Sequence, residues 1–297
     1  MKELNLEEIL ENTSDLSQEK KRWFVAIIGR PNAWKSTFVN TLIGRKISIT
    51  TNVPQTTRKK VLAIYNDDDS QIIFFDTPGI HESNKAFNEE INNQAISSLN
   101  EAEVVLYFID MSREWWEEEK YIRNLISKVK VPILKVYTKS DLQKKIEPGD
   151  NAIQISSETK EGFDELLASI KSHLEEWPLL FPEDFYTKQD IYFRISEIIR
   201  EKVFLNTKEE LPHSVYVWVE ELEDKEDILR INAYIYAESD SQKYILIGKW
   251  WTLISKMWKQ ARLELEKVFE KKVFLALRVK VKKNWRKDEK LVKKLLK

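Results

Sequence analysis

Residues 24–37 read FVAIIGRPNAWKST. The first five form a continuous apolar run closed by a glycine, the pattern of a strand buried on both faces. Gly29, Lys35 and Ser36 then stand in register with G-x-x-x-x-G-K-[ST]. That loop joins a strand to a helix and wraps successive backbone N–H groups round a phosphate. The loop Gly29, Arg30, Pro31, Asn32, Ala33, Trp34, Lys35, Ser36, Thr37 is therefore a candidate phosphate cradle. Lys35 would reach the β- and γ-phosphates, and the Ser36 hydroxyl would bind Mg²⁺. Trp34 stands where the pattern has its second glycine.

Four further motifs follow at strand ends or between elements. Residues 76–79 read DTPG directly after the apolar run IIFF. An aspartate there can hold the Mg²⁺ shell, and the glycine N–H can meet a γ-phosphate. Residues 54–58 read PQTTR, where a mobile Thr57 can join the metal and sense the γ-phosphate. Residues 138–141 read TKSD after PILKVY. Asp141 can accept from N1–H and the 2-amino group of guanine, which adenine lacks, while Lys139 lies across the base. Residues 156–158, Ser156, Ser157 and Glu158, follow the run AIQI at the position of a guanine-O6 loop.

Apolar runs recur at 72–75, 104–109, 132–137 and 152–155, separated by helical stretches at 36–43, 88–100, 117–128 and 163–175. That alternation predicts an α/β fold, a mostly parallel six-stranded sheet with helices on both faces. VLAIY at 61–65 reads as an antiparallel hairpin partner of IIFF. Asp67, Asp68 and Asp69 between them read as a turn and not as a metal site. The pattern ends near EEWPLLFPEDF, residues 175–185, whose prolines suggest a linker. Beyond it the order is helix, strand, strand, helix, helix, strand, then a final basic helix.

The 297 residues carry 48 basic and 49 acidic side chains, but unevenly. Residues 1–180 hold 23 basic and 29 acidic groups, whereas residues 243–297 hold 18 and 5. The C-terminal excess predicts a polyanion-binding surface, for nucleic acid or acidic membrane. The absence of cysteine excludes a disulfide scaffold, thiol catalysis and thiolate zinc sites. No apolar run is long enough to cross a bilayer. The polar, acidic N-terminus is not a secretory signal, so a cytoplasmic protein is expected.

GRPNxxKST, PQTTR, DTPGIH, the helix SEIIREK before KEELPHSV, and IGKxx occur in the order found in the Era family of bacterial GTPases, which this chain resembles over roughly residues 22–297. The resemblance implies a P-loop GTPase domain over 22–178 and a linker over 179–189. It also implies an α+β type II KH domain over 190–297, with residues 1–21 an N-terminal extension. It implies binding and slow hydrolysis of GTP with Mg²⁺, binding of the 16S ribosomal RNA 3′ end, and a role in 30S assembly. Cytoplasmic residence with peripheral inner-membrane association, and a monomer, are further expectations. Nucleotide contacts then fall on Gly29 to Thr37, on Asp76, Thr77, Pro78, Gly79 and Ile80, on Thr138, Lys139, Ser140 and Asp141, and on Ser156 to Glu158. Ser36, Thr57 and Asp76 become the metal group.

Lys35, Asn32 and Thr57 become the catalytic set, with a potassium ion held by Asn32 as in related GTPases. Ile80 stands where Ras-like GTPases carry a water-orienting glutamine. His81 reads as a switch-loop residue. Members more often have asparagine than Thr138 and alanine than Ser157, which predicts weakened but intact guanine selection. The Thr138 hydroxyl is expected to face the phosphate loop. IGKWW occupies the G-x-x-G loop of a KH domain, which clamps the backbone of about four nucleotides. Gly248, Lys249, Trp250, Trp251, Lys256, Lys259, Arg262, Arg278 and Lys280 are the candidate RNA contacts.

Ten tryptophans outnumber six glycines. Trp34 and Trp251 replace glycines of two independent motifs, and by resemblance Trp23, Trp116, Trp177 and Trp258 also stand at glycine positions. The set predicts a systematic cause: UGA codons that the cell reads as glycine and another code reads as tryptophan. With genuine tryptophan at 34 and 251, the chain would instead be a nucleotide-impaired RNA-binding module. A peripheral membrane protein using its basic tail is the third reading of the charge.

Overall fold

The computed structural model describes residues 19–80, 86–115, 117–149 and 152–296. His81, Trp116 and residues 1–18 lie outside them. The described chain divides into two compact units. One comprises the chain up to Ser48 together with Thr57–Lys188; the other comprises Ile49–Thr56 and the chain from Gln189 onward.

In the first unit β1 (Glu19–Gly29) leads through the phosphate loop into α1 (Lys35–Ile43). There follow β2 (Val61–Asn66), β3 (Ser70–Asp76), α2 (Ala86–Glu101), β4 (Val104–Asp110), α3 (Glu117–Ile126), β5 (Ile133–Thr138), β6 (Ile153–Ile155) and α4 (Phe163–Lys171). The sheet order is β2-β3-β1-β4-β5-β6, parallel throughout except β2. Every residue of β3 and β4 is buried, which explains their unbroken apolar runs. Alternate residues face opposite layers. Ala26, Ile28, Val105 and Tyr107 pack with Ala95 and Leu99 of α2 and Ile122 of α3. On the other face the Phe38 ring of α1 lies 5.9 Å from Phe74, 5.3 Å from Phe108 and 5.0 Å from Phe163 of α4. Burying each such ring contributes about 1.5–3 kcal/mol.

The expected six strands are joined by a seventh. Residues Glu176–Pro178 form β7, antiparallel to the start of β1. The stretch read as a linker continues onto the hairpin of β2 and β3. There Phe181 packs with Ile64 and Ile73. The Gln71 carboxamide donates to the Phe181 carbonyl at 2.8 Å and accepts from the Leu180 and Phe181 N–H groups at 2.9 and 3.0 Å.

In the second unit α5 (Ile191–Asn206) starts on Asp190, whose carboxylate accepts the Phe193 N–H at 3.0 Å. β8 (Tyr216–Asp224) and β9 (Ile228–Ala237) are antiparallel, and β10 (Lys272–Val281) lies parallel to β9, giving the order β10-β9-β8. The helix pair α6 (Asp240–Ile247) and α7 (Thr252–Phe269) precedes β10, and α8 (Glu289–Leu296) follows it. Leu246, Met257, Ala261 and Leu265 from the pair join Ile195 and Ile199 of α5 over Val217, Ile231 and Leu275 of the sheet. Segment Ile49–Thr56 is held on α5: Glu201 accepts the Thr50 N–H at 3.1 Å and Arg200 donates to the Thr56 carbonyl at 2.5 Å.

Candidate nucleotide site and nucleic-acid interface

The phosphate loop closes where β1 ends. Gly29 lies so near β4 that a Cβ would stand 2.6 Å from the Phe108 carbonyl oxygen. Gly79 lies so near the loop that a Cβ would stand 2.5 Å from Pro31 backbone atoms. These close approaches bring DTPG against GRPNAWKST, with the Ile80 N–H donating to the Gly29 carbonyl at 3.2 Å. Thr77 is fixed beneath them, its hydroxyl donating to the Ile27 carbonyl at 2.5 Å.

Lys35 is buried, and its ammonium donates to the Gly29 and Arg30 carbonyls at 3.2 and 3.0 Å. Burial pushes it down to about 8, while the Asp76 and Glu119 carboxylates pull it back up. The Ser36 and Thr57 hydroxyls lie 3.0 Å apart. Both oxygens of the Asp76 carboxylate are buried with no hydrogen-bond partner. Burial holds that carboxyl above its usual range, tempered by the nearby Ser36 and Ser48 hydroxyls and by Lys35. Both hydroxyls lie near the carboxylate, but neither makes a well-formed hydrogen bond to it. A buried carboxylate without donors, flanked by two hydroxyls, fits a hard divalent cation.

At the far side of the sheet β5 delivers Thr138 and Lys139. Lys139 donates to Asp110 at 2.7 Å, and both side chains are buried. Asp110 also accepts from the Ser112 N–H and hydroxyl at 2.9 and 2.6 Å. Sequence reasoning passed over Asp110, although an aspartate ending a buried strand is the signal that marked Asp76. The Thr138 hydroxyl donates to the Ile109 carbonyl of β4 at 3.3 Å, and not to the phosphate loop as expected, because it points across to the neighbouring strand. The Ser140 N–H donates to the Ile155 carbonyl at 3.2 Å, tying this turn to the next. Asp141 is exposed. In that next turn the buried Ser156 hydroxyl accepts the Glu158 and Thr159 N–H groups, each at 3.2 Å. Ser157 is buried and Glu158 exposed.

The Arg30 side chain goes to α3, donating to Glu118 at 2.9 Å and to the Glu114 carbonyl at 3.3 Å. Only its backbone lines the loop. Glu119, buried beside it, is hydrogen-bonded to the Tyr107 hydroxyl, and burial raises its carboxyl.

In the second unit α6 ends at Gly248, with φ 74°, and residues 249–251 make one tight turn before α7. Lys249, Lys256 and Lys259 are exposed along the turn and α7, and Arg278 and Lys280 along β10, an edge strand. Arg262 is different: it donates to Glu266 at 2.7 Å, one helical turn on, so part of its charge is compensated. The Lys280 ammonium lies 3.5 Å from the centre of the Tyr234 ring.

Trp34 caps α1 with φ 60°, and Trp251 caps α7 with φ 62°. Both are left-handed, a region costing an ordinary L-residue about 1–2 kcal/mol and rarely entered by bulky ones. Trp250 has φ 56° as well. The Trp34 indole lies against Lys139, with 5.3 Å from ammonium to ring centre. Trp23 has a buried indole N–H without a partner, whereas Trp258 is helical and donates to the Leu275 carbonyl at 2.7 Å. Nothing in the backbone at Trp258 asks for glycine.

A family profile described as 50S ribosome-binding GTPase matches residues 24–139, and a KH domain profile matches residues 210–286. GTPase Era of Borrelia garinii subsp. bavariensis is 44% identical over 289 residues, covering 93% of this chain and 99% of that protein. GTPase Era of Treponema denticola is 43% identical, covering 91% and 98%. The chain belongs to the GTPase Era family. It is also similar to the crystal structure of Era in complex with MgGDPNP and nucleotides 1506–1542 of 16S ribosomal RNA. That match has a TM-score of 0.86 and 34% identity, covering 92% of this chain and 98% of that one. Aquifex aeolicus Era Y63A bound to GDP·AlF4⁻ matches with the same score and identity. The family carries the P-loop GTPase fold followed by a KH domain that the topology displays, and its members are GTP hydrolases.

Proposed function

We propose that the chain is a GTP-hydrolysing switch that binds 16S ribosomal RNA during 30S assembly, with the nucleotide seated on Gly29 to Thr37. The observation that carries this reading is the partnerless Asp76 carboxylate beside the Ser36–Thr57 hydroxyl pair. Ser36, Thr57 and Asp76 would hold Mg²⁺, which when bound neutralises charge on the β- and γ-phosphate oxygens. Lys35 binds those phosphates, and Lys139 and Asp141 select guanine, with Thr138, Ser140 and Ser156 to Glu158 shaping the base site.

Ile80 is buried and cannot orient water. Positioning therefore falls to Lys35, Thr57 and loop N–H groups, with K⁺ at Asn32. A site without a water-orienting side chain turns over slowly, and RNA or the ribosome supplies the acceleration. The RNA segment is the 16S 3′ end, gripped by the 248–251 turn, Lys256, Lys259, Arg278 and Lys280. A monomer resident in the cytoplasm, associating peripherally with the inner membrane, completes the reading. Among the described residues no helix is long and apolar enough to cross a membrane.

The test is GTP turnover with K⁺ or Na⁺, with and without 16S 3′-end RNA. Turnover should rise with the RNA and fall in Na⁺. Rates indifferent to both would overturn the mechanism.

A further inference from the structure

Ten described residues other than glycine have positive φ. Two are asparagine, which tolerates the left-handed region through its short polar side chain: Asn32 and Asn284. Five more, Gln55, Lys139, Lys160, Glu209 and Glu270, are polar or charged. The other three are Trp34, Trp250 and Trp251. No aliphatic residue, and no aromatic residue but tryptophan, enters that region among the described residues.

These three differ from the chain's well-seated tryptophans. Trp285 is fully buried, donates to the Ser214 carbonyl at 2.8 Å and packs edge-on to Tyr216 at 4.9 Å. Trp250 and Trp251 are 84% and 67% exposed. None of the indoles at 34, 250 and 251 is hydrogen-bonded, and two of them replace no helix cap: Trp34 and Trp251 precede their helices without a side-chain capping bond. The backbone at each position has the conformation glycine adopts freely. The Trp250 and Trp251 side chains stand in solvent, and the Trp34 indole meets only the Lys139 ammonium as a ring contact.

We infer that the functional protein carries glycine at positions 34, 250 and 251, inserted at UGA codons that its cell assigns to glycine. The restored sequence is GRPNAGKST at the phosphate loop and IGKGG at the KH turn. Both turns then offer bare backbone to a phosphate, where three indoles otherwise stand. Position 250 is identified by its dihedral angles alone. The inference rests on backbone geometry and holds whether or not the nucleotide reading does.

Two measurements test it. Peptide mass spectrometry of the protein from the cells that make it should find glycine at 34, 250 and 251; tryptophan at these sites, or UGG codons, overturns the inference. Thermal unfolding of the chain as written should improve in W34G, W250G and W251G and fall in the control W285G. Glycine ordinarily destabilises by emptying a packed site and loosening the unfolded chain, so a gain occurs only where left-handed strain is relieved. Losses at all three turn positions would overturn the geometric argument.

Discussion

At the residue scale, Lys139 and Asp76 show the two fates of a polar group in this site: the first is tied up inside the fold, the second has no hydrogen-bond partner there. Lys139 is spent on Asp110 in a buried pair at 2.7 Å. Breaking such a pair leaves an uncompensated buried charge, at a cost of about 3–5 kcal/mol. Asp110→Ala should therefore lower the unfolding free energy from denaturant titration by that order, with Asp110→Asn costing less because it still accepts a hydrogen bond. Asp141 is exposed and available to a base. Guanine offers it two donors; an amide offers one donor and one acceptor, which matches xanthine better. Asp141→Asn should weaken GTP binding and strengthen XTP binding, read by competitive titration.

Much of this site was legible as residues in order: Gly29, Lys35 and Ser36 answer to spacing along one strand-loop-helix unit, and Asp76 to its place at the end of the buried run of β3. The partners were not. Asp110 holds Lys139 across two strands, Arg30 turns to α3, and the Thr138 hydroxyl turns to Ile109. Each depends on tertiary neighbours that local pattern does not encode.

At the element scale, the buried strands β3 and β4 announced themselves by unbroken apolar runs, whereas β7 is three residues long and carries no period. The hairpin of β2 and β3 turns on Asp67, which accepts from the Asp69 and Ser70 N–H groups at 3.1 and 2.8 Å and pairs with Lys171 of α4 at 2.7 Å. Burial pushes its carboxyl up, but Lys171, the Ser70 hydroxyl and the Asp69 N–H outweigh that and hold it below the usual range. A depressed folded value contributes stability that is present above the unfolded value of about 3.9 and lost as pH falls through the folded one. Asp67→Asn should lower the melting temperature at neutral pH, with the difference shrinking toward strong acid. A difference independent of pH would mean that the turn is held by shape and not by charge.

At the scale of the whole molecule, a net charge of −1 conceals two opposite halves. The C-terminal 55 residues carry 18 basic groups and 5 acidic ones, and ten of the basic groups lie on α7, β10 and α8. Each phosphate contact releases condensed counterions, so the logarithm of RNA affinity should fall linearly with that of salt, by about 0.7 per contact on a single strand. Replacing Lys256 and Lys259 with glutamine should flatten that slope by roughly two contacts. Replacing Arg262, already bonded to Glu266, should change it less. Equal effects at all three positions would argue for a diffuse field over a defined track.

On the reading proposed above, a guanine nucleotide sits on the turn between β1 and α1. The most direct test is competitive titration of the W34G W250G W251G chain with GDP and ADP in the presence of Mg²⁺. GDP should bind, and ADP should fail to displace it. Equal competition by ADP, or no binding of either, would contradict that reading.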